Sequence, residues 1–354
     1  MRLVSTLALA GAVLVAAPPP AAPELQQSAD RLVARSDIPG VIALFQEDGR
    51  RVVVAAGQAD VARATKARPN DRFWVGSVTK SFVATVAMQL VAEGKLRLDA
   101  RLSDLLPGRL PQGRRIRLRN LLNHTSGLAD YMTLQPWRRM VLRNPRVVIS
   151  PGRFVSSAAG VPLQFKPGSR ASYSNTNYLV LAEILRRVTR QPLARVLRER
   201  IFVPLGLDAT TYRPARRALE ANQIHGYDVS LLPPTDVSLD AFGGPWADGA
   251  IVSNATDLAV FFGALLRGEL VPAALVAEME TIVPRSHGEG LGLYRLRSPC
   301  GLWFYGHTGG TPGYITFAAG LQDGSRMFVF AWNGVGTEAI HAMDAYVDDL
   351  LCRD

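Results

Sequence analysis

The chain has 354 residues, 48% of them apolar and 20% charged, which suits one large domain or two closely joined ones and excludes bulk disorder. Its formal charge of +10 is carried almost wholly by arginine, the only lysines being Lys66, Lys80, Lys95 and Lys166. No recognised module or aromatic–basic interleaving accompanies that charge, so nucleic acid is not an expected partner.

Met1-Arg2, the apolar run Leu3–Ala17 and small residues around Ala16-Ala17 and Ala21-Ala22 have the layout of a secretory signal over 1–22. The run is shorter than the ~20 residues of a spanning helix, and no cysteine lies nearby for a lipid anchor. The expectation is therefore a secreted protein with no stable membrane span after cleavage. Glu24–Arg35 then reads as a helix. Val41–Gln46 and Arg51–Gln58 flank Glu47-Asp48-Gly49-Arg50, a hairpin signature. From Ser81 to Glu93, Phe82, Val83, Val86, Ala87, Leu90 and Val91 recur at helical spacing, with Gly94 where a C-terminal cap belongs. Ser77 thus falls at the start of a largely buried helix.

Between 96 and 249 the pattern changes. Arg114-Arg115-Ile116-Arg117-Leu118-Arg119 suits a solvated basic face, or contact with anionic cell-wall polymers. Short helical patterns (Leu118–Leu122, Tyr178–Val188, Leu193–Arg200) alternate with proline- and glycine-bearing loops. Strands return at Leu302–His307, Tyr314–Leu321 and Met327–Trp332, and a helix over about Gly336–Leu351 closes the chain. These elements predict an α/β (α+β) fold. The N-terminal hairpin and C-terminal strands form one antiparallel sheet flanked by helices, with a mainly helical region inserted. In numbers, one domain spans 24–354, its α/β part being 24–95 and 250–354 and its helical part 96–249. Cys300 and Cys352 are either a disulfide closing a loop worth roughly 4 kcal/mol or two free thiols, and spacing alone leaves both open.

Three short motifs carry chemistry. In Ser77-Val78-Thr79-Lys80, positions i and i+3 share a helix face, so the Lys80 amine reaches the Ser77 hydroxyl. Serine needs a base, and lysine serves as one when burial lowers its pKa, whereas arginine stays protonated. Tyr173-Ser174-Asn175 offers a proton shuttle and an amide reader. Gly306-His307-Thr308-Gly309-Gly310 ends a strand whose glycines let a substrate backbone lie against its edge. Gly310 can add a second oxyanion donor to that of Ser77. No G-x-S-x-G elbow is present for a Ser-His-Asp hydrolase, and His124 reads as a structural loop histidine. No H-E-x-x-H or Cys/His cluster suggests a metal, and no cofactor is expected.

In this order and spacing the motifs resemble the S-x-x-K, Y-x-N and K/H-T-G signatures of the serine β-lactamase and penicillin-binding superfamily, in its class C-like branch. The resemblance includes Phe73-Trp74-Val75-Gly76, Leu121–Leu128, Phe165-Lys166-Pro167-Gly168 and Pro204-Leu205-Gly206-Leu207. It is greatest to secreted D-alanyl-D-alanine carboxypeptidases, through Tyr305–Gly309 and the placing of the two cysteines. What it implies is a β-lactamase/transpeptidase-like fold and a penicillin-binding hydrolase that works as a monomer on peptidoglycan stem peptides. Ser77 is acylated, Lys80 accepts its proton and Tyr173 relays protons. Asn175 holds the acyl amide. His307, Thr308 and Gly309 border the substrate, with positive potential from His307, and Ser77 and Gly310 form the oxyanion hole. The cysteine pairing is implied too. Gly310 and Tyr294 stand where those carboxypeptidases carry carboxylate-binding threonine and arginine, which leaves Arg295 and Arg297 as substitutes. The same motifs also serve class C-like β-lactamases, D-aminopeptidases and esterases, and a non-catalytic penicillin-recognising module is the alternative of another class.

Overall fold

Strand Gly40–Glu47 alternates strictly, with Ile42 and Leu44 buried on one face and Val41, Ala43 and Phe45 on the other. This is the period-two pattern of a strand covered on both sides. In the computed structural model, which describes residues 21–351 apart from 48, 216–217, 231–232, 241–243, 245, 285, 299, 338, 340, 342–345 and 348–349, that strand lies inside a seven-stranded antiparallel sheet. In spatial order the strands are Thr65–Lys66, Arg50–Asp60, Gly40–Glu47, Arg326–Trp332, Tyr314–Gly320, Trp303–Thr311 and Tyr294–Arg297. The expected joining of the two chain ends is therefore present, in a register from Val41 opposite Trp332 to Glu47 opposite Arg326. Arg326 is buried in that central strand, and its guanidinium is neutralised by the Glu47 carboxylate.

One face of the sheet is covered by the helix Ala22–Arg35, through Leu25, Ala29 and Leu32 at helical spacing. Beside it lies the C-terminal segment, helical at every described position between 337 and 351 and burying Ala339, Tyr346, Val347, Leu350 and Leu351. The other face carries two apolar helices, Thr79–Ala92 and Ala255–Leu266, whose Phe82 and Phe261 rings stack with centroids 3.6 Å apart. A helix apolar on all sides belongs in the middle of a protein, and Thr79–Ala92 is buried at eleven of its fourteen positions. The same core continues through Val83 and Leu121 to Tyr178 and Ile184 of helix Thr176–Thr189. The mainly helical region thus packs straight onto the nucleophile helix.

Several elements differ from the sequence expectation, among them strand Tyr294–Arg297 and helices Gln135–Arg143, Pro151–Ala159 and Ala273–Glu280, none of them anticipated. Helix Ala255–Leu266 is likewise unanticipated, although Asn254 caps it by accepting the Asp257 N–H at 2.8 Å, a readable start signal. The strand expected to stop at His307 runs on to Thr311, because its glycines pair with Tyr314–Gly320 instead of turning. Among the described residues, no helix is long and apolar enough to cross a membrane. The expected signal segment lies outside them except for Ala21 and Ala22, which lead into the first helix.

Cys300 sits beside the end of the C-terminal helix, its Sγ 3.6 Å from the Leu351 carbonyl, and Cys352 lies outside the described residues. The pairing expected from the sequence predicts that thiol titration of the denatured, unreduced protein finds no free thiol. Two titrating thiols would refute it.

Candidate active site

Ser77 lies in a single turn, Gly76–Val78, that leads into helix Thr79–Ala92. The turn is held from below by strand Phe73–Trp74, which pairs with Ile251–Ser253, and by the Val75 N–H, which donates to the Ile251 carbonyl at 3.0 Å. Gly76 has φ +54°, and a Cβ there would stand 2.9 Å from the Gly310 backbone. A Cβ on Gly309 would stand 1.9 Å from the Val75 carbonyl and 3.0 Å from the Ser77 nitrogen. The strand Trp303–Thr311 is therefore pressed against the nucleophile turn, and only glycine permits it.

Lys80 is fully buried one turn beyond Ser77. Its ammonium donates to Ser77 Oγ at 2.9 Å, Asn175 Oδ1 at 2.8 Å and the Asp248 carbonyl at 2.8 Å, which uses all three of its protons. Burial lowers its pKa to about 8, against the attraction of Asp248 and Asp130. At pH 7 about one molecule in ten then carries the neutral amine that can accept a proton. The Tyr173 hydroxyl donates to Ser77 Oγ at 2.7 Å from the other side. Burial pushes the Tyr173 pKa up, so it stays a phenol and acts as a proton donor. Its ring stacks on His124, with centroids 4.3 Å apart.

His124 is itself buried, held neutral by desolvation and the nearby Lys80 charge. Its Nδ1 accepts the Ser174 N–H at 3.2 Å, so it positions the tyrosine loop and takes no part as a base toward Ser77.

The predicted residues divide into two groups. Ser77, Lys80, Tyr173 and Asn175 meet within hydrogen-bonding distance. Ser77, Tyr173, Asn175 and Gly310 also line one 260 Å³ cleft, together with Tyr131, Met132, Gly244, Asp248, Gly249, Thr311 and Pro312. His307 and Thr308 are not in that lining, and strand alternation sends them to opposite faces, His307 buried and Thr308 exposed. The positive potential expected of His307 is absent. Burial, with the Lys80 charge behind it, drops its pKa to about 3, and the Tyr294 ring packs edge-on against it at 4.8 Å. Arg295 also points elsewhere: its guanidinium stacks on Trp303, 4.3 Å from the ring centroid, with Arg297 at 5.4 Å.

Asn175 does more than the sequence suggests. Its carbonyl serves Lys80, and its amide donates to Asp130 Oδ2 at 3.0 Å and more weakly to Met132 Sδ at 3.3 Å. Asp130 and Asp248 are functional residues that the sequence reading missed. Asp130 caps the turn Tyr131–Thr133 through the Met132 N–H. Asp248 accepts the Tyr131 hydroxyl at 2.8 Å. Their only sequence signal is a carboxylate in a short Ala- or Gly-bearing loop, at Ala129-Asp130-Tyr131 and Ala247-Asp248-Gly249. Among the described residues no group of His, Cys, Asp and Glu is arranged to hold a metal. A larger groove of about 920 Å³, bordered by Arg109, Arg186, Arg187 and Arg190, shares no residue with the cleft.

Comparison with known proteins matches the Beta-lactamase family over residues 25–353. The chain is 29% identical, over 335 residues, to Penicillin-binding protein 4 of Amycolatopsis lactamdurans, covering 87% of this chain and 84% of that protein. Several further curated relatives are longer, and the chain spans less than two thirds of each. Its fold superposes with a TM-score of 0.84 on a D-stereospecific amidohydrolase from Streptomyces sp., 30% identical, covering 95% of this chain and 100% of that one. A D-amino acid amidase from Ochrobactrum anthropi SV3 gives a TM-score of 0.81 at 25% identity, covering 92% and 96%.

Two outcomes follow from the geometry. Because Lys80 accepts a proton only when neutral, kcat/KM should rise about tenfold per pH unit below 8 and level off above it. Lys80→Arg should lose about 10²–10⁴-fold and the profile with it, since arginine stays protonated. A flat pH profile between 6 and 9 would remove Lys80 from the role of base. Gly309→Ala should cost about a hundredfold in kcat, the size of one lost oxyanion donor, by pushing the strand off the nucleophile turn. Unchanged kcat would show that the strand's approach is not needed.

Proposed function

Because this chain belongs to the Beta-lactamase family, a family of serine hydrolases, we propose that it is an amidohydrolase that forms an acyl-enzyme on Ser77 and prefers small D-amino-acid amides with a free amine. The observation that carries this reading is the charge of the cleft. Its described lining contains one acidic residue, Asp248, and several glycines but no arginine, no histidine and no lysine. The one ammonium beneath it, Lys80, has all three protons engaged by the protein. A substrate ending in a carboxylate would enter without a cationic partner among the described lining residues, which disfavours it. A substrate ammonium would meet the potential of Asp248 and Asp130. The names of the two solved relatives support the same class of substrate and its D configuration.

The residues divide the chemistry as follows. Neutral Lys80 takes the Ser77 proton as Oγ attacks the amide carbon. The Ser77 and Gly310 N–H groups receive the oxyanion. Collapse breaks the C–N bond, and Tyr173 protonates the departing amine; the proton held by Lys80 restores the phenol. Water then attacks the ester with the protons moving in reverse, which frees the acid and Ser77. A β-lactam is a cyclic amide and enters by the same first step, so penicillin is expected to label Ser77. The N-terminal segment and the two cysteines support placing the mature enzyme outside the cytoplasm.

The decisive comparison keeps the acyl residue constant. kcat/KM for D-alanine amide should exceed that for N-acetyl-D-alanyl-D-alanine at least tenfold, about 1.4 kcal/mol of transition-state discrimination. The opposite preference would establish carboxypeptidase specificity, and loss of neither activity in Ser77→Ala would overturn the nucleophile.

A further inference from the structure

A second cavity, of 210 Å³, adjoins the catalytic cleft and is lined by Tyr131, Met132, Trp137, Arg138, Val141, Leu142 and Phe154. Tyr131 and Met132 line both spaces. The inner wall is a rigid aromatic stack. The Tyr131 ring lies on Phe154 at 4.1 Å, Trp137 meets Phe154 edge-on at 5.3 Å, and the Tyr131 hydroxyl is tied to Asp248. The rim is unlike the rest of the surface, for Met132 and Leu142 are 47% and 72% exposed, two of the few large hydrophobic side chains left so open. Exposed apolar groups around an apolar hollow mark a binding site.

We infer that this cavity receives the side chain of the acyl-donating residue and selects an aromatic or long aliphatic one. The inference rests on the amidohydrolase reading and names the substrate that reading left open. Three observations carry it. First, the cavity abuts the cleft, since Tyr131 and Met132 line both, and Met132 also touches Asn175 beside Lys80. Second, the contact that holds Met132 there, Asn175 Nδ2 to Sδ at 3.3 Å, is to a weak acceptor. A contact so weak is open to displacement by a substrate carbonyl, and an unbranched methionine can repack against the group it borders. Third, the size fits. A dry apolar cavity of about 150 Å³ admits benzene, so this one takes a benzyl or isobutyl group, while a methyl group leaves it nearly empty. The walls leave Arg138 as the one charged lining residue, at the exposed edge.

The experiment measures kcat/KM for D-phenylalanine amide and D-alanine amide in the full-length protein and two variants. The wild type should favour the phenylalanine amide at least tenfold. Val141→Trp, which fills the cavity from a half-buried position, should bring that ratio close to one. Leu142→Asp, at a site too exposed to threaten folding, should lower it several-fold and serves as the reporter if Val141→Trp fails to fold. Equal wild-type turnover of the two amides, or a ratio unmoved by the folded variants, overturns the pocket and leaves the amidohydrolase standing. Turnover of neither amide, with Ser77 still labelled by penicillin, overturns the amidohydrolase reading and the pocket with it.

Discussion

The structure depends on one buried ammonium. Taking a lysine out of water is costly, and it is tolerated only when every N–H finds an acceptor. Lys80 finds its three in segments far apart in sequence: Ser77 on its own turn, Asn175 at the head of a helix in the inserted region, and the Asp248 carbonyl in the loop before Ile251. One nitrogen thus fastens the nucleophile turn to the inserted helical region at two points, near its middle and at its end. The burial that makes this demanding also lowers the lysine pKa to about 8. Structural tension and catalytic competence therefore have a common origin.

The environment sets the other titratable groups in the same way. Tyr173 is kept a phenol by burial, although the bond to Ser77 opposes it, and His124 and His307 are kept neutral by burial beside a cation. The cleft has one group near its working pH and several locked on either side of it. Such separation assigns acid and base roles without further residues. Asp130 and Asp248 moderate the effect by restoring part of the lysine's basicity.

Much of this was legible in the sequence. Ser77, Lys80, Tyr173 and Asn175 stand out because Ser-x-x-Lys, Tyr-x-Asn and His-Thr-Gly occur together in one order and spacing, where each alone would be commonplace. The sheet was legible from alternation in Val41–Gln46 and Met327–Trp332, and from the hairpin at Gly49. The charge of His307 was not, because nothing in Gly306-His307-Thr308 reports how deeply the ring is buried. Nor was the direction of Arg295, which depends on pairing opposite Tyr305 and on the neighbouring Trp303 ring. The two aspartates escaped for a related reason. Loop carboxylates are common, and only the completed fold brings these two beside Lys80.

The pairing of Gly40–Glu47 with Arg326–Trp332 bears on how the molecule comes into being. Strand Gly40–Glu47 finds its inner neighbour far along the chain, Glu47 and Arg326 being 279 residues apart. Until that neighbour is made the hairpin has an unpaired edge, and helix Thr79–Ala92 has no sheet to rest on. Closing so long a loop is entropically expensive and slow. A nascent chain of this topology therefore cannot close its sheet until Arg326–Trp332 has been made, and a chain cut before that strand has no route to an active centre.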